Sequence, residues 1–182
     1  MIRAEIIITK MTLYVNFFAG PGAGKSTMMA ACFAELKWRN IDCEMVTEYA
    51  KDKIWEGSES ILDNQLYVTA NQYHRLQRLN GKVNVVLTDS PMILGLFYGE
   101  AEPREFHELI LNKFNSFNNL NFLLTRVKPF NPNGRLQSEE ESREIDEDIY
   151  RLLKGYKIQH WIVSARKSSV KTIVDEIIKT IK

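Results

Sequence analysis

Residues 19–27 have the types and spacing that bind a phosphate group. They read Ala-Gly-Pro-Gly-Ala-Gly-Lys-Ser-Thr and directly follow the apolar run 13–18. Glycines let the backbone wrap around a phosphate and turn successive N–H groups inward, and the N-terminus of a following helix adds a partial positive charge. The strict pattern has glycine at the position of Ala19, which is a small change at a strand end. The stretch therefore predicts a nucleotide-binding phosphate loop.

The side chains of this loop predict separate roles. Lys25 would reach the β- and γ-phosphates of a nucleotide, and the hydroxyl of Ser26 would bind Mg²⁺. The predicted nucleotide-binding set is Gly20, Pro21, Gly22, Ala23, Gly24, Lys25, Ser26 and Thr27. A nucleotide bound together with Mg²⁺ is therefore expected at this loop.

Two carboxylates follow other predicted strands. Asp89 ends the run Val-Asn-Val-Val-Leu-Thr-Asp and would face the Mg²⁺ held by Ser26. An aspartate before Ser90 and Pro91 also suits a turn cap, and one residue can do both. Glu48 follows the second strand and would accept the proton of an acceptor hydroxyl that attacks the γ-phosphoryl group. The alternative for Glu48 is a solvated residue at the start of a helix.

The segment 126–135 combines turn-forming residues with arginines at both ends. It contains Pro, Asn and Gly between Arg126 and Arg135, and an acidic helix with Arg143 follows. Phosphoryl transfer spreads charge over the phosphate oxygens, so a closing arginine-bearing lid would neutralise that charge and exclude water. Arg143 would equally well pair with neighbouring glutamates. The pattern predicts a lid at about 126–137.

Aromatic and basic residues between the second and third strands are candidates for the acceptor side. Trp55 would either stack on a base or pack in the core, and Tyr49, Tyr67 and Tyr73 share that region. A small basic cluster would be either a solvated helix face or a contact to nucleic-acid phosphates; it comprises His74, Arg75, Arg78 and Lys82.

The elements that position these side chains alternate between strand and helix. Apolar runs predict strands at 13–18, 43–47, 83–87, 121–125 and 158–163. Helical patterns occupy 25–38, 61–79, 103–114 and the stretch after Ser168 or Ser169, with a short helical or irregular piece at 48–56. This order predicts an α/β fold, a five-stranded parallel sheet with helices on both faces. Ligands of such sheets bind at the carboxyl ends of the strands, where the candidate residues fall.

Composition predicts one ordinary globular domain. The chain has 182 residues, 45% hydrophobic and 26% charged, with a net charge of +1. That charge counts against a protein that makes many phosphate contacts to nucleic acid, but it leaves room for a local groove. No apolar run approaches the roughly 18 residues of a membrane span. Cys32 and Cys43 fit neither a disulfide framework nor a metal site, so buried thiols in a cytoplasmic protein are expected.

The domain is expected to occupy 13–182, with 1–12 as an N-terminal extension. Met11 is a candidate start of the native chain. An edge strand at 5–9 is the alternative, and the sequence does not choose between the two.

The chain lacks the sequence motifs that mark two other classes of phosphate-loop protein. Motor-type and transport ATPases carry a catalytic glutamate after the strand aspartate, where this chain has Ser90. Signalling GTPases need Asp-x-x-Gly after that strand, and here Ser-Pro-Met follows Asp89. They also need Asn-Lys-x-Asp, whereas residues 112–115 read Asn-Lys-Phe-Asn. A compact kinase is the class that these motifs favour.

These motifs resemble those of small phage-encoded P-loop kinases in the thymidylate-kinase and ribosylnicotinamide-kinase neighbourhood. The resemblance rests on the phosphate loop, on Thr-Glu-Tyr-Ala-Lys-Asp and Trp-Glu within 46–56, on Thr-Asp-Ser-Pro at 88–91, and on Lys-Pro-Phe-Asn-Pro-Asn-Gly-Arg-Leu-Gln within 126–137. Within that neighbourhood the chain is most similar to the 5-hydroxymethyluracil DNA kinases. Those enzymes phosphorylate the hydroxymethyl group of the base in phage DNA during thymidine hypermodification. The resemblance covers most of 13–165.

The resemblance implies an ATP-dependent kinase with ATP and Mg²⁺ as cofactors. Residues 20–27 would bind ATP, Ser26 and Asp89 the metal, and Ala165 would lie by the adenine. Glu48 or Asp89 would be the base, and Arg126 and Arg135 would belong to the lid. Glu48, Trp55 and Arg126 would contact the acceptor.

The implied acceptor is hydroxymethyluracil in DNA. A free nucleoside or nucleotide is the alternative, and a non-catalytic ATP-binding switch is a further one. No membrane partner is expected, and a homodimer is left open.

Overall fold

The sheet has five parallel strands in the order β2-β3-β1-β4-β5. This is seen in a computed structural model that describes residues 11–127, 129–131, 133 and 136–182. The strands are β1 (Leu13–Phe18), β2 (Cys43–Val46), β3 (Val85–Thr88), β4 (Asn118–Thr125) and β5 (Trp161–Ser164). The predicted α/β class with five parallel strands is confirmed.

Helices cover both faces of this sheet. The α-helices are α1 (Lys25–Trp38), α2 (Tyr49–Trp55), α3 (Gln65–Gln77), α4 (Gly95–Tyr98), α5 (Arg104–Asn115), α6 (Glu139–Gly155) and α7 (Ser169–Thr180). Alternate residues of β1 face two separate apolar layers. Leu13, Val15 and Phe17 pack with α1 and α7, whereas Tyr14 and Phe18 pack with α3, α5 and α6. Because both faces of β1 are buried, the strand is an uninterrupted apolar run apart from Asn16.

Several elements differ from their predicted bounds. The helix predicted at 61–79 is a 3₁₀ turn at Glu59–Asp63 followed by α3, because Asn64 caps α3 by accepting a hydrogen bond from the N–H of Tyr67. Strand β4 starts at Asn118 rather than 121, and β5 spans Trp161–Ser164 rather than 158–163. A 3₁₀ turn at Met92–Leu94 and the short α4 were not predicted.

Helix α6 begins at a complete capping box. The Ser138 side chain accepts a hydrogen bond from the N–H of Glu141, and the Glu141 carboxylate accepts one from the N–H of Ser138. Acidic residues in the first turn also suit the positive end of the helix dipole. The acidic run therefore fixes where the predicted lid segment ends and the helix starts.

Other expectations concern burial and the N-terminus. Cys32 and Cys43 are buried free thiols, and burial raises the pKa of Cys32 to about 12. Within the described residues, no helix has the length and apolar content to span a bilayer. The expected extension and the alternative edge strand at 5–9 lie outside the described residues, apart from positions 11 and 12.

The one polar residue of β1 should matter for stability. Asn16 donates to the side-chain oxygens of Asn119 and Asn121 in β4, at 2.9 Å each. We expect Asn16→Ala to lower the free energy of unfolding by about 1–3 kcal/mol, because the buried acceptor of Asn121 and the partly buried acceptor of Asn119 both lose their donor. Urea unfolding followed by circular dichroism measures this.

The matched control is Asn71→Ala. Asn71 donates only to Tyr67 O of its own exposed helix surface. It should change the free energy of unfolding by less than about 0.5 kcal/mol. Equal stability of the two variants would contradict a structural role for the asparagine cluster.

Candidate active site

A cleft of about 530 Å³ opens where the loops after β1, β2 and β3 meet. One wall consists of the phosphate loop, and another comes from α2, α3 and α4. Pro129, Asn131, Leu136 and Gln137 border the same cleft, so described parts of the predicted lid segment lie at it. The topology thus brings three of the predicted motifs to one place.

The phosphate loop uses glycine where the backbone requires it. Gly22 has φ of +77° and Gly24 has φ of +107°, both in the left-handed region that side chains disfavour. A Cβ on Gly22 would also lie 2.9 Å from the ring of Phe130. Helix α1 then begins at Lys25, directly after Gly24.

Lys25 is folded back onto the loop. Its Nζ donates to Ala19 O at 2.7 Å and to Gly20 O at 3.1 Å. Desolvation lowers the pKa of Lys25, and the nearby carboxylates of Glu48, Asp89 and Asp146 oppose that shift. A cation held between carboxylates at the cleft is placed to bind an anionic ligand.

Ser26 and Asp89 form a pair of oxygen donors. Ser26 Oγ donates to Asp89 Oδ2 at 2.5 Å. Asp89 is 3% exposed, and its Oδ1 is buried with no hydrogen-bond partner among the described residues. A hydroxyl beside a carboxylate with a free oxygen suits Mg²⁺, which takes hard oxygen ligands.

The rest of a magnesium shell would come from the nucleotide. The described residues contain no group of three or more His, Cys, Asp or Glu side chains placed to hold a metal ion. Mg²⁺ at kinase sites commonly uses one or two protein ligands together with substrate phosphates and water. Ser26 and Asp89 therefore fit the predicted metal site.

Glu48 lies between β2 and α2 and lines the same cleft. Desolvation raises its pKa, Lys25 opposes this shift, and the neighbouring charge of Asp89 adds to it. A carboxylate with a raised pKa in a cleft is suited to accept a proton. Assignment of Glu48 as the base stays a prediction.

Tyr98 is an aromatic residue of the cleft that sequence reasoning missed. It ends α4, lines the cleft and is 42% exposed. Desolvation raises the pKa of Tyr98, and the charge of Glu48 adds to that shift. Its exposure at a cleft wall was the only signal, and that signal appears only in the folded chain.

Trp55 lies elsewhere. Its side chain is 66% exposed, so the alternative of core packing is wrong, and it is not part of the cleft lining. The preceding residue, Ile54, lines the cleft instead. Contact between Trp55 and an acceptor stays a prediction.

The predicted lid arginines have different positions. Arg126 donates to Pro21 O at 3.0 Å, to Ser142 Oγ at 2.7 Å and to Asp146 at 2.9 and 3.0 Å. Its side chain is 5% exposed. All its nitrogens are thus engaged with the protein beside the phosphate loop, and contact with phosphate or acceptor stays a prediction. Arg135 lies outside the described residues.

Other predicted residues lie near the loop or on α3. Ala165 is 2% exposed, and a Cβ on Gly24 would lie 3.3 Å from its own Cβ, so the turn after β5 packs on the loop. Its place beside adenine stays a prediction. Within the basic cluster, Arg75 pairs with Asp52 at 2.7 Å and lies 5.0 Å from the ring centre of Tyr49.

Gln72, which sequence reasoning also missed, joins the two carboxylate loops. Its side chain accepts from the N–H of Tyr49 at 3.0 Å and donates to Ser90 O at 3.1 Å. Tyr49 follows Glu48 and Ser90 follows Asp89. One buried amide therefore fixes the spacing of the loops that carry these carboxylates.

Comparison with known proteins gives a family and a fold. The family model AAA_28, described as an AAA domain, matches residues 14–171. No curated protein sequence matches the chain.

Solved structures, two of them of kinases, resemble the chain. It is similar to the NadR protein in complex with NR, with 20% identity and a TM-score of 0.60, over 84% of this chain and 43% of that one. Thymidylate kinase from Ehrlichia chaffeensis has 10% identity and a TM-score of 0.59, over 94% and 100%. Deoxyadenosine kinase from M. mycoides with bound dATP has 16% identity and a TM-score of 0.53, over 92% and 98%. The chain spans less than half the length of the NadR chain, and at these identities the likeness establishes the fold.

The conformation of Gly22 generates a test of the loop. We expect Gly22→Ala to weaken ATP binding at least tenfold, because alanine in the left-handed region costs about 1–2 kcal/mol and its Cβ would press on Phe130. Calorimetric titration with ATP measures the loss. The control is Gly155→Ala, whose Cβ would have no atom within 4 Å, and wild-type affinity in Gly22→Ala would contradict the assignment of the loop.

Proposed function

The chain belongs to the AAA_28 family of AAA domains, and we propose that it is an ATP-dependent kinase that transfers the γ-phosphoryl group of ATP to a hydroxyl group. The observation that carries the proposal is the convergence of Lys25, Glu48 and the Ser26–Asp89 pair on one cleft. The acceptor that we propose is the 5-hydroxymethyl group of 5-hydroxymethyluracil in DNA. A free nucleoside is the second candidate.

The residues divide the chemistry between them. Lys25 would hold the phosphates, while Ser26 and Asp89 would hold Mg²⁺, which when bound neutralises phosphate charge. Glu48 would take the proton of the acceptor hydroxyl. The acceptor oxygen then bonds to the γ-phosphorus, the bond from that phosphorus to the β,γ-bridging oxygen breaks, and ADP leaves.

Transfer to an alcohol is favoured over simple hydrolysis. The position after Asp89, where hydrolysing ATPases carry glutamate, is Ser90. The remaining carboxylate, Glu48, comes from the β2 side and shares its wall of the cleft with α2 and α3. A base placed there serves a second substrate better than a water molecule bound beside Asp89.

The wall around Glu48 favours an acceptor without a phosphate next to the reacting hydroxyl. Apolar side chains of Ile54, Leu62, Val68 and Leu94 form much of it, and Lys51 is the one cation it contributes among the described residues. A phosphate dianion in such a setting would lack partners to replace its hydration. An uncharged base or nucleoside fits this wall better than a nucleoside monophosphate.

The decisive experiment is transfer of labelled γ-phosphate from ATP to a panel of acceptors. The panel holds DNA with 5-hydroxymethyluracil, unmodified DNA, free 5-hydroxymethyldeoxyuridine, nicotinamide riboside and thymidine monophosphate. We expect label on the hydroxymethyluracil DNA and none on the monophosphate. Label only on a free nucleoside would select the second candidate, and ATP binding without transfer to any acceptor would favour the non-catalytic switch.

Lys25→Ala tests whether the transfer depends on the loop. We expect the substitution to reduce the rate of phosphoryl transfer at least 100-fold with the fold intact, because the lost charge of Lys25 acts on the phosphates of ATP. The matched control is Lys37→Ala on the same helix, where Lys37 is an exposed partner of Glu44. Equal rates in these two variants would contradict the role of Lys25.

The raised pKa of Glu48 predicts a pH dependence. The base must be ionised, so transfer should fall as pH decreases through a value above that of an ordinary glutamate. Lys25, Asp89, Lys51 and Asp52 are the charged groups that act on it. We expect Glu48→Gln to lower kcat about 100-fold or more and to remove this acidic limb, with ATP affinity little changed. If Glu48→Gln instead lost its affinity for ATP but kept a normal kcat, Glu48 would not be the base.

A further inference from the structure

Three side chains beside the phosphate loop form a largely buried cluster that the proposed transfer step does not use. The cluster consists of Arg126 after β4 and of Ser142 and Asp146 on α6, and we call it the loop clamp. Ser142 is fully buried, and the side chains of Arg126 and Asp146 are 5% and 26% exposed. A buried ion pair is costly to desolvate, so its placement calls for a specific use.

Each oxygen of Asp146 has a separate partner. Oδ2 accepts from Nε and Nη2 of Arg126 at 3.0 and 2.9 Å. Oδ1 accepts from the backbone N–H of Gly20 at 2.5 Å. The carboxylate therefore joins an arginine to the first glycine of the phosphate loop.

The next peptide group of the loop is held by the same cluster. Pro21 O accepts from Arg126 Nη1 at 3.0 Å and also from the hydroxyl of Ser142. Helix α6 touches the loop directly, because a Cβ on Gly20 would lie 2.3 Å from Ser142 O. The N–H of Gly20 and the carbonyl of Pro21 are thus satisfied by groups of the clamp, whereas Ala19 O and Gly20 O accept from Lys25 of the following helix.

The clamp also flanks the predicted lid. Arg126 directly follows β4 at the start of the predicted lid, and Ser142 is the fourth residue of α6, five residues after the predicted end of the lid. The chain between them leaves the loop at one contact and returns to it at the other. The positions of the loop and of the residues that flank the lid are therefore coupled through one set of hydrogen bonds.

We propose that Asp146, with Ser142 and Arg126, is a positioning group that holds the phosphate loop in its nucleotide-binding conformation. Gly22 and Gly24 adopt left-handed backbone angles that a free chain visits with many others. A loop already fixed from its first residues loses less entropy when ATP binds, so affinity rises without any contact between the clamp and ATP. The inference rests on the ATP site of the proposed function, and it assigns Arg126 to the loop instead of the transferred phosphate.

Calorimetric titration with ATP in the absence of any acceptor tests the clamp. We expect Asp146→Ala and Ser142→Ala each to raise the Kd for ATP, by about tenfold or more for Asp146→Ala. In the transfer assay the KM for ATP should rise likewise, while the KM for the acceptor and kcat at saturating ATP change less than about threefold. A general loss of structure would not produce this split.

The control is Asp148→Asn on the same helix, which removes an exposed pair with Arg151 and should leave the Kd for ATP unchanged. Asp146→Ala leaves the buried Arg126 unpaired and threatens folding. The double variant Arg126→Gln, Asp146→Asn avoids that charge, and it should also weaken ATP binding. Thermal unfolding of each variant shows that the titrations are made on folded protein.

The outcomes separate the two proposals. Folded Asp146→Ala or double variant with a Kd for ATP within twofold of the wild-type value overturns the clamp and leaves the kinase proposal standing. Wild-type protein that binds no ATP overturns both. Weakened binding in the clamp variants with a normal Asp148→Asn supports the positioning role.

Discussion

The site depends on one arrangement of charge, a partly buried lysine held among carboxylates. Desolvation acts against the charge of Lys25, and Glu48, Asp89 and Asp146 support it. Arg126 would add to the positive charge, but Asp146 pairs with it at 2.9 Å. One carboxylate therefore balances the arginine, and the other two face the lysine. A balance of this kind keeps a partly buried cation charged and available for an anionic ligand.

Strand register explains why these groups meet. Val46 of β2 and Asn16 of β1 are both paired with Thr88 of β3. Asp89 follows Thr88 by one residue and Glu48 follows Val46 by two, so the carboxylates leave the sheet at nearly the same level. Phe18 is paired with Leu123, which places the start of the phosphate loop beside the end of β4. Because the strands are parallel, the loops that follow them all leave the sheet at the carboxyl ends of the strands. Gln72 then joins the loops after β2 and β3 through its hydrogen bonds to Tyr49 and Ser90.

Sequence reasoning succeeded where the signal is local. The phosphate loop, its glycines and the following helix are contiguous, and the apolar runs that form β1 and β3 needed no knowledge of partners. It failed where a residue's role depends on how a distant element docks. Asp146 looks like any acidic residue of an amphipathic helix until α6 packs beside the loop. Tyr98 lines the cleft and Trp55 does not, and the type of the side chain alone could not have shown which of the two aromatic residues would lie there.

The hydrogen bonds of Arg126 say more about its role than the sequence pattern around it does. An arginine after β4, before a segment rich in Pro, Asn and Gly, is the pattern of a phosphate clamp. Its partners here are a buried serine, a carboxylate and a loop carbonyl. Moving it to a phosphate would leave Asp146 without its cation and Pro21 O without a charged donor, and each loss is costly in a buried site. ATP binding needs less rearrangement if Arg126 keeps these partners and the phosphate is bound by the loop that Arg126 supports.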